Sequence, residues 1–193
     1  AIEMSYLDED FLKLKKAEKY AKYSTLETGI YIKDELVEFE PRDIPELNIN
    51  ASLPKTFVRM PLSIAKIKYP SETRPQMIFT SLDTTVNFTF SVYPQDVPLD
   101  QVKRVAEQMN HAQKVNPANI FYDLQAEVAE NRALCWFNYK SYAIDDQIYT
   151  IMYLLAAEKG KILHGTFSCR FDSMNEWNRA AIQVIQSVKV MDT

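Results

Sequence analysis

The chain has 193 residues, of which 47% are hydrophobic, and this is enough to build one core with an appendage. It carries 22 basic and 26 acidic side chains and a net charge of −4. Because nucleic-acid-binding proteins usually carry a basic surplus, we expect no nucleic-acid partner. No apolar run of about 18 residues occurs, so we predict no membrane span. No signal peptide is visible either, so we expect a cytoplasmic location, with a removed leader or lipid anchor as the alternative.

The first fifty residues differ in composition from the rest of the chain. They hold 12 acidic and 7 basic side chains, whereas the remainder holds 14 and 15. Residues 6–23 repeat apolar side chains at helical spacing, which predicts a helix with one face formed by Leu7, Phe11, Leu14 and Ala21. A strand or hairpin is expected from Gly29 onward. We predict an acidic extension of helix and strand over residues 1–50 and an α+β domain over residues 51–193.

A basic cluster follows this extension. Five basic residues and one acidic residue lie between Lys55 and Pro75. We interpret the cluster as a solvated surface, since charge clusters in globular domains usually are. The alternative is that it attracts an anionic partner, such as the acidic N-terminal segment itself.

Strands and one helix are predicted in the middle of the chain. Residues 76–82 form one strand, and residues 84–93 form a second in which apolar side chains alternate with Thr85, Asn87, Thr89 and Ser91. Such alternation is typical of a sheet with one solvated side. A helix after Pro98 has an apolar stripe of Leu99, Val102, Val105, Ala106 and Met109. Residues 119–129 are predicted to form a further strand.

The last third of the chain predicts an antiparallel meander followed by a helix. Residues 132–143, 147–157 and 162–171 are rich in aromatic and β-branched side chains, with turns predicted at Asp145-Asp146 and Lys159-Gly160. Ser173 and Glu176 form a capping-box pattern at the start of the helix. The helix has a stripe of Trp177, Ala181, Val184, Ile185 and Val188. The whole pattern predicts an α+β fold, a twisted antiparallel sheet of about six strands with helices packed on its faces.

The alternation of side chains in the meander assigns residues to two faces. With those turn positions, Phe137, Met152, Phe167 and Cys169 share a core face. The opposite face, which we call the predicted aromatic face, carries our candidate binding residues Trp136, Lys140, Tyr142, Tyr149, Tyr153, His164 and Arg170. Aromatic side chains with polar tips are enriched at the centres of interfaces. The alternative, which we favour, is that a helix or the N-terminal segment covers this face as a second core layer.

Residues with catalytic or metal-binding chemistry are sparse. The chain has only three glycines, so it lacks phosphate loops, dinucleotide fingerprints and the nucleophile elbow, and we expect no cofactor. His111 and His164 are isolated from other ligand residues, so we expect no metal. The remaining catalytic option is a nucleophile–base pair of Ser168 or Thr166 with His164. Alternate residues of one strand lie about 6 to 7 Å apart, so this option is poor, and we predict that the chain is not an enzyme.

The two cysteines are predicted to be free thiols. Cys135 and Cys169 lie in the first and third strands of the meander, and a middle strand would keep them about 9 to 10 Å apart. This separation is too large for a disulfide. Two buried thiols are consistent with a reducing compartment.

The order of elements, with KSYAIDDQIYTIMYLLAAEKGKILHGTFSCRFDSMNEWNRAAIQVIQSVKV, resembles the PsbP-like superfamily over about residues 50–190. This superfamily includes a photosystem II extrinsic subunit, a Ran-binding nuclear-import factor and bacterial DcrB-type proteins. The resemblance lies in the hairpin turn, the following strand and the terminal stub from Ser187 to Val190. Asp146 stands where a glycine is more usual. The resemblance implies a non-catalytic domain that binds or stabilises other proteins.

Two functions follow as hypotheses. The first is a non-enzymatic protein-interaction or accessory domain, which binds a protein partner or associates with itself through the predicted aromatic face or the acidic N-terminal segment. The second is a carrier of a small amphipathic ligand, with the tyrosines of the predicted aromatic face as the floor of its pocket. Neither hypothesis needs a cofactor or a metal.

Overall fold

The computed structural model describes residues 2–157 and 162–191. The helices are α1 (Ile2–Lys22), α2 (Leu62–Lys68), α3 (Val102–Gln113) and α4 (Met174–Ser187). The first seven strands are β1 (Ser24–Thr25), β2 (Gly29–Ile32), β3 (Glu35–Val37), β4 (Phe39–Ile44), β5 (Ile49–Pro54), β6 (Val58–Arg59) and β7 (Met77–Thr80). The others are β8 (Asn87–Val92), β9 (Ile120–Phe121), β10 (Gln125–Val128), β11 (Arg132–Tyr142), β12 (Gln147–Ala157), β13 (Leu163–Arg170) and β14 (Lys189–Val190). Short 3₁₀ helices span Pro45–Leu47, Leu99–Gln101 and Phe171–Ser173.

One antiparallel sheet organises the molecule. Its strands lie in the order β10-β11-β12-β13-β8-β7-β6, and β9 also pairs with β11, so it has eight strands instead of the predicted six. The β11–β12 hairpin is its longest part, and Tyr142 lies opposite Gln147 across a turn at residues 143–146. The α+β fold class and this turn are confirmed. The sheet is larger than expected because two-residue strands such as β6 and β9 have no recognisable sequence pattern.

The final helix packs its predicted stripe into the core on one face of this sheet, which we call the inner face. Trp177, Ala181, Val184, Ile185 and Val188 are all buried. The predicted capping box is wrong, because the Ser173 side chain makes no cap hydrogen bond. Glu176 instead accepts a hydrogen bond of 3.0 Å from the backbone of Lys33, in the tight turn between β2 and β3. That carboxylate therefore ties the N-terminal part of the chain to α4.

Residues from the predicted extension belong to the same core. Ile30, Ile32 and Ile44 are buried in one cluster with Phe88, Phe167 and Trp177. The predicted boundary at residue 50 lies inside β5, which pairs along its whole length with β4 and, at its start, with β14. Two ion pairs also join the predicted basic cluster to the acidic segment, Lys55 with Glu38 at 3.8 Å and Arg59 with Glu46 at 2.7 Å. The division of the chain into an extension over residues 1–50 and a domain over residues 51–193 stays a prediction.

The register of β13 differs from the prediction by one residue. Ile151 lies opposite Phe167 and Tyr153 opposite Gly165, so Phe167 and Cys169 share the inner face with Tyr149 and Tyr153. The expected division of the strand between the two faces is therefore wrong, because side chains alternate and a shift of one residue reverses a whole strand. The predicted turn at Lys159-Gly160 lies outside the described residues. The face opposite the inner face, which we call the outer face, carries His164, Thr166, Ser168 and Arg170.

Both cysteines are buried free thiols, as expected, and they lie on β11 and β13, the two strands that flank β12. Cys135 lies on the outer face beneath α3, and Cys169 lies on the inner face. Burial raises the pKa of both thiols, that of Cys169 to about 12. Both therefore stay protonated at neutral pH and are poor nucleophiles.

Within the described residues, no helix combines the length and the apolar content that crossing a membrane requires. The longest helix, α1, has 21 residues and carries charged side chains along its length. This agrees with the prediction of no membrane span.

Candidate functional site

The structure separates the seven predicted binding residues into three groups. Trp136, Tyr149 and Tyr153 are buried in the core between the inner face and α4. Lys140 and Tyr142 lie beyond this core at the end of the β11–β12 hairpin, where the Lys140 ammonium is 4.0 Å from the centre of the Phe171 ring. His164 and Arg170 are on the opposite, outer face. The expected common surface is therefore not formed, and the favoured alternative of a second core layer holds for the three buried aromatics.

Tyr149 is held in the core by two amides. Its hydroxyl accepts a hydrogen bond of 2.7 Å from Asn138 and donates one to the Oδ1 atom of Asn178 on α4. Burial raises the pKa of Tyr149 to about 12 and also raises that of Tyr153. Both hydroxyls are neutral at physiological pH. The Tyr149 hydroxyl ties α4 to the sheet, and the Tyr153 hydroxyl donates to the carbonyl of Thr89 on β8 at 3.1 Å. Both rings belong to the core between the sheet and α4 and are not available to a partner.

The raised pKa of Tyr149 predicts a pH dependence of stability. The proton is bound more tightly in the folded state than in the unfolded chain, where the tyrosine pKa is about 10. The contribution of Tyr149 is therefore complete below pH 10 and is lost as the pH rises towards 12. We expect the free energy of unfolding in urea to fall less steeply across this window in Tyr149→Phe than in the wild type. Equal slopes would contradict this assignment.

The outer face contains a groove that the sequence did not predict as a site. It has a volume of about 480 Å³ and lies on β8, β13, β12 and β11, beside the end of α2. Helix α3 covers Ala133, Cys135 and Leu154 elsewhere on this face, and α2 packs near Ile78. We call the groove that these two helices leave uncovered the outer groove. It is lined by Lys68, Tyr69, Thr84, Thr85, Asn87, Tyr139, Asp146, Ile148, Thr150, Thr166, Ser168, Cys169 and Arg170.

The floor of the outer groove is made of hydroxyl and amide side chains. The hydroxyls of Thr89 and Thr166 are 2.7 Å apart across β8 and β13, and the backbone of Thr166 donates to Thr89 at 2.9 Å. Asn87, Thr89 and Ser91 are buried, so the solvated side predicted for β8 is wrong. The neighbouring strand β13 places His164, Thr166 and Ser168 beside them on the same face, where these three side chains are partly buried.

Asn87 has an unused acceptor at the edge of this floor. Its Nδ2 atom donates to the carbonyl of Thr84 at 3.2 Å, and this bond fixes which end of the amide is the donor. The Oδ1 atom is buried and has no hydrogen-bond partner among the described residues. A buried acceptor without a partner costs about 1 to 3 kcal/mol, which is a cost that functional sites often carry.

The walls of the outer groove are aromatic and its rim is charged. Burial raises the pKa of Tyr69, at the end of α2, and the hydroxyl of Ser168 partly opposes this shift. Burial likewise raises the pKa of Tyr139, with Thr150 as the opposing neighbour. Arg170 pairs with Asp146 at 3.1 Å. The groove therefore contains neutral hydroxyls and tyrosine rings. At its mouth lies Arg170, whose charge is paired with that of Asp146.

The side chains of the predicted catalytic option, His164 with Thr166 or Ser168, have other neighbours in the structure. The Thr166 hydroxyl is engaged by Thr89, and His164 packs edge-on against Tyr93 with ring centres 5.7 Å apart. Burial lowers the pKa of His164, so its ring is neutral at pH 7. In the part of the chain that the structure describes, no three potential metal ligands cluster together. Only Arg170 of the seven predicted residues lines the groove.

A sequence signal for the groove existed in part. Polar residues alternate with apolar ones along β8, and β13 shows the same alternation at His164, Thr166 and Ser168. Pairing the two strands would have joined these polar sets. They are far apart in the chain, and no local pattern indicates that they are neighbours.

The fold was compared with solved structures. PsbP (CyanoP) from Synechocystis sp. PCC 6803 matches with a TM-score of 0.51 at 13% identity, covering 84% of this chain and 98% of that one. LpqN of Mycobacterium tuberculosis, described as involved in cell envelope biogenesis, matches with a TM-score of 0.54 at 11% identity, covering 88% and 99%. The chain has the PsbP-like fold. The predicted resemblance is thereby confirmed at the level of architecture.

Sequence comparisons add nothing to this result. No family model and no curated protein matches the chain. The Ran-binding protein Mog1p of Saccharomyces cerevisiae is a weaker structural match, with a TM-score of 0.48 at 7% identity over 81% of this chain and 97% of that one. At such identities a PsbP-like fold does not determine a function, because one fold supports many unrelated sites. The function has to be argued from the side chains of this chain.

Proposed function

We propose that this PsbP-like chain is a non-enzymatic accessory domain that acts by binding a protein partner, and that the outer groove is its binding site. The observation that carries the proposal is the uncovered stretch of the outer face between α2 and α3. Its floor presents the hydroxyls of Thr150, Thr166 and Ser168, and its walls present the rings of Tyr69 and Tyr139. Tyrosine rings and hydroxyls together provide apolar contact area and hydrogen bonds, a combination enriched at protein interfaces.

A binding role for Arg170 at the mouth of the groove, and for Lys140 and Tyr142 near the tip of the β11–β12 hairpin, is part of the proposal. Arg170 is exposed, and Tyr142 is 49% exposed at the tip of the same hairpin. Lys140 lies beside Tyr142, with the ammonium 5.2 Å from its ring centre. Arg170 would contact a partner seated in the outer groove, whereas Lys140 and Tyr142 lie on the other face of the sheet and would be reached at the hairpin tip. The buried residues Trp136, Tyr149 and Tyr153 would support this end of the sheet through packing alone.

A second candidate function is a carrier of a small amphipathic ligand. A volume of about 480 Å³ falls within the usual range of about 300 to 1,000 Å³ for small-molecule pockets. The lining is amphipathic, since it combines the apolar Ile148 and the tyrosine rings with the hydroxyls of Thr150 and Ser168. The ligand would occupy the outer groove, because α4 covers the inner face, where Tyr149 and Tyr153 lie.

Filling the groove with a large side chain is expected to abolish binding. Ser168 lies on the groove floor and is partly exposed, so Ser168→Tyr places a ring in the groove without replacing a core side chain. Val128→Tyr is the matched control, because Val128 is 62% exposed on the edge strand β10, away from the groove. Thermal unfolding of both variants establishes that they are folded.

Two measurements on these variants separate the candidate functions. In affinity capture from a lysate, the wild type and Val128→Tyr should retain the same protein, and Ser168→Tyr should lose it. In native mass spectrometry, a co-purifying small molecule that is present in the wild type and Val128→Tyr and absent in Ser168→Tyr favours the carrier. If Ser168→Tyr retains everything that the wild type retains, the groove is not the binding site.

A further inference from the structure

Helix α1 stands away from the body of the molecule along most of its length. The hydrogen bonds and ion pairs that tie it to other parts of the described chain come from its last two turns. Lys16 pairs with Asp34 at 3.4 Å, and the hydroxyl of Tyr20 donates to the same carboxylate at 3.1 Å. Residues 6–19 are exposed on every side of the helix. Residues 6–19 of α1 are therefore not buried against any other part of the described chain.

This exposed part of α1 contains an apolar seam. Leu7, Phe11 and Leu14 follow each other at intervals of four and three residues, and their side chains are 68%, 56% and 64% exposed. Such intervals place the three side chains on one narrow stripe, which Glu18 and Ala21 continue. A stripe of this width is typical of a helix that packs against one other helix, whereas docking on a globular surface uses a broader one.

The charges of α1 are divided between its two halves. Asp8, Glu9 and Asp10 form an acidic block, and basic side chains follow at Lys13, Lys15, Lys16, Lys19 and Lys22. Part of this gradient matches the helix dipole, which favours acids near the start and bases near the end. In a pair of parallel helices the two acidic blocks would face each other and repel. In an antiparallel pair each acidic block faces a basic one.

We propose that α1 pairs with α1 of a second copy of the chain as an antiparallel coiled coil. The inference rests on the proposed function only in that the chain acts by binding, and it does not use the outer groove. It names a second copy as one partner and α1 as the surface. The body of the protein follows the C-terminal end of α1, so an antiparallel pair places the two bodies at opposite ends of a rod about 30 Å long.

The charges also select the alignment of the two helices. When Phe11 packs against Leu14 of the second copy, Asp8 comes next to Lys15 of the second copy, and symmetry forms this pair twice. Moving one helix by a heptad packs Phe11 against Leu7 instead, and brings the two Asp8 side chains together. The first alignment is therefore favoured by opposite charges, and the second is opposed by like charges.

The seam can be tested with two leucines of the same helix. Leu14 lies in the seam, and Leu12 lies outside it although it is 65% exposed. Analytical ultracentrifugation of the full chain over a wide concentration range should show a monomer–dimer equilibrium. We expect Leu14→Glu to raise the dissociation constant by at least about tenfold, and Leu12→Glu to leave it nearly unchanged. A wild type that stays monomeric, or equal effects of the two variants, overturns the proposal.

The orientation has its own test. Asp8→Lys and Lys15→Asp should each weaken the dimer, and the double variant should restore it, because it exchanges the charges across an antiparallel pair. A double variant as weak as the single variants would overturn the antiparallel arrangement. The Ser168→Tyr variant separates this inference from the groove, since it should dimerise like the wild type whatever happens to its captured partner.

Discussion

Replacing Gly165 with alanine is expected to prevent stable folding of the chain. Gly165 lies in the middle of β13, between Phe90 and Tyr153 on the inner face. A Cβ atom at this position would overlap the carbonyl oxygen of Thr89 and would be 2.6 Å from the hydroxyl of Tyr153. The first contact is with backbone, so no side-chain rotation relieves it. We expect a loss of more than about 3 kcal/mol in the free energy of unfolding.

The measurement is the fraction of soluble folded protein, followed by urea unfolding monitored by circular dichroism. Gly29→Ala provides a graded comparison, because its nearest contacts are at 3.0 Å to the flexible Leu36 side chain and 3.1 Å to the Val37 carbonyl. Its φ of 80° makes alanine unfavourable by about 1 to 2 kcal/mol. A Gly165→Ala variant that unfolds at the same urea concentration as the wild type would contradict the packing of β13 against β8 described above.

The second large effect is expected at Trp177, where α4 meets the sheet. The indole is buried, and its centre lies 5.8 Å from the ring of Phe57 and 6.0 Å from that of Phe167. Trp177→Ala leaves a cavity between the helix and the inner face. We expect a loss of about 3 to 5 kcal/mol in the free energy of unfolding. Urea unfolding measures this loss.

Tyr142→Ala is the control for Trp177→Ala, because it also removes an aromatic ring from the same fold. Tyr142 is half exposed at the hairpin tip, so its replacement should cost less than about 1 kcal/mol. Similar losses in the two variants would mean that α4 is not anchored by its tryptophan. A small loss in Trp177→Ala alone would mean that the site collapses to fill the space.

Elements whose contacts are local in the chain were predictable. The β11–β12 hairpin was predicted because its two strands are separated by a short turn, and the apolar stripe of α4 was predicted from its own periodicity. The capping box failed because the Glu176 carboxylate binds the backbone of Lys33, which is 143 positions away. Local capping competes with long-range hydrogen bonds, and only the fold shows which bond forms.

The candidate site was predicted poorly for a related reason. His164 and Arg170 were grouped with Tyr149 and Tyr153 by assuming a register across the last turn of the meander. One residue of shift moves both to the other face of the sheet. The groove residues Tyr69, Asn87 and Ser168 come from three separate stretches of the chain. Their proximity depends on the pairing of β13 with β8, and an α-helix and four strands lie between these two strands in the chain.

The sequence by itself determined the α+β class, the resemblance to the PsbP-like fold, the free thiols, and the faces of each strand and helix taken one at a time. The class and the faces follow from side-chain periodicity, which acts over a few residues. The resemblance rests on the order of elements and on the motif residues, and the free thiols follow from the separation of their two strands. The tertiary structure alone decided that α4 covers the inner face of the sheet, that the polar sides of β8 and β13 meet in a groove, and that residues 6–19 of α1 are exposed on every side among the described residues. Each of these results depends on strand register and helix placement, which are set by the packing of residues distant in the chain.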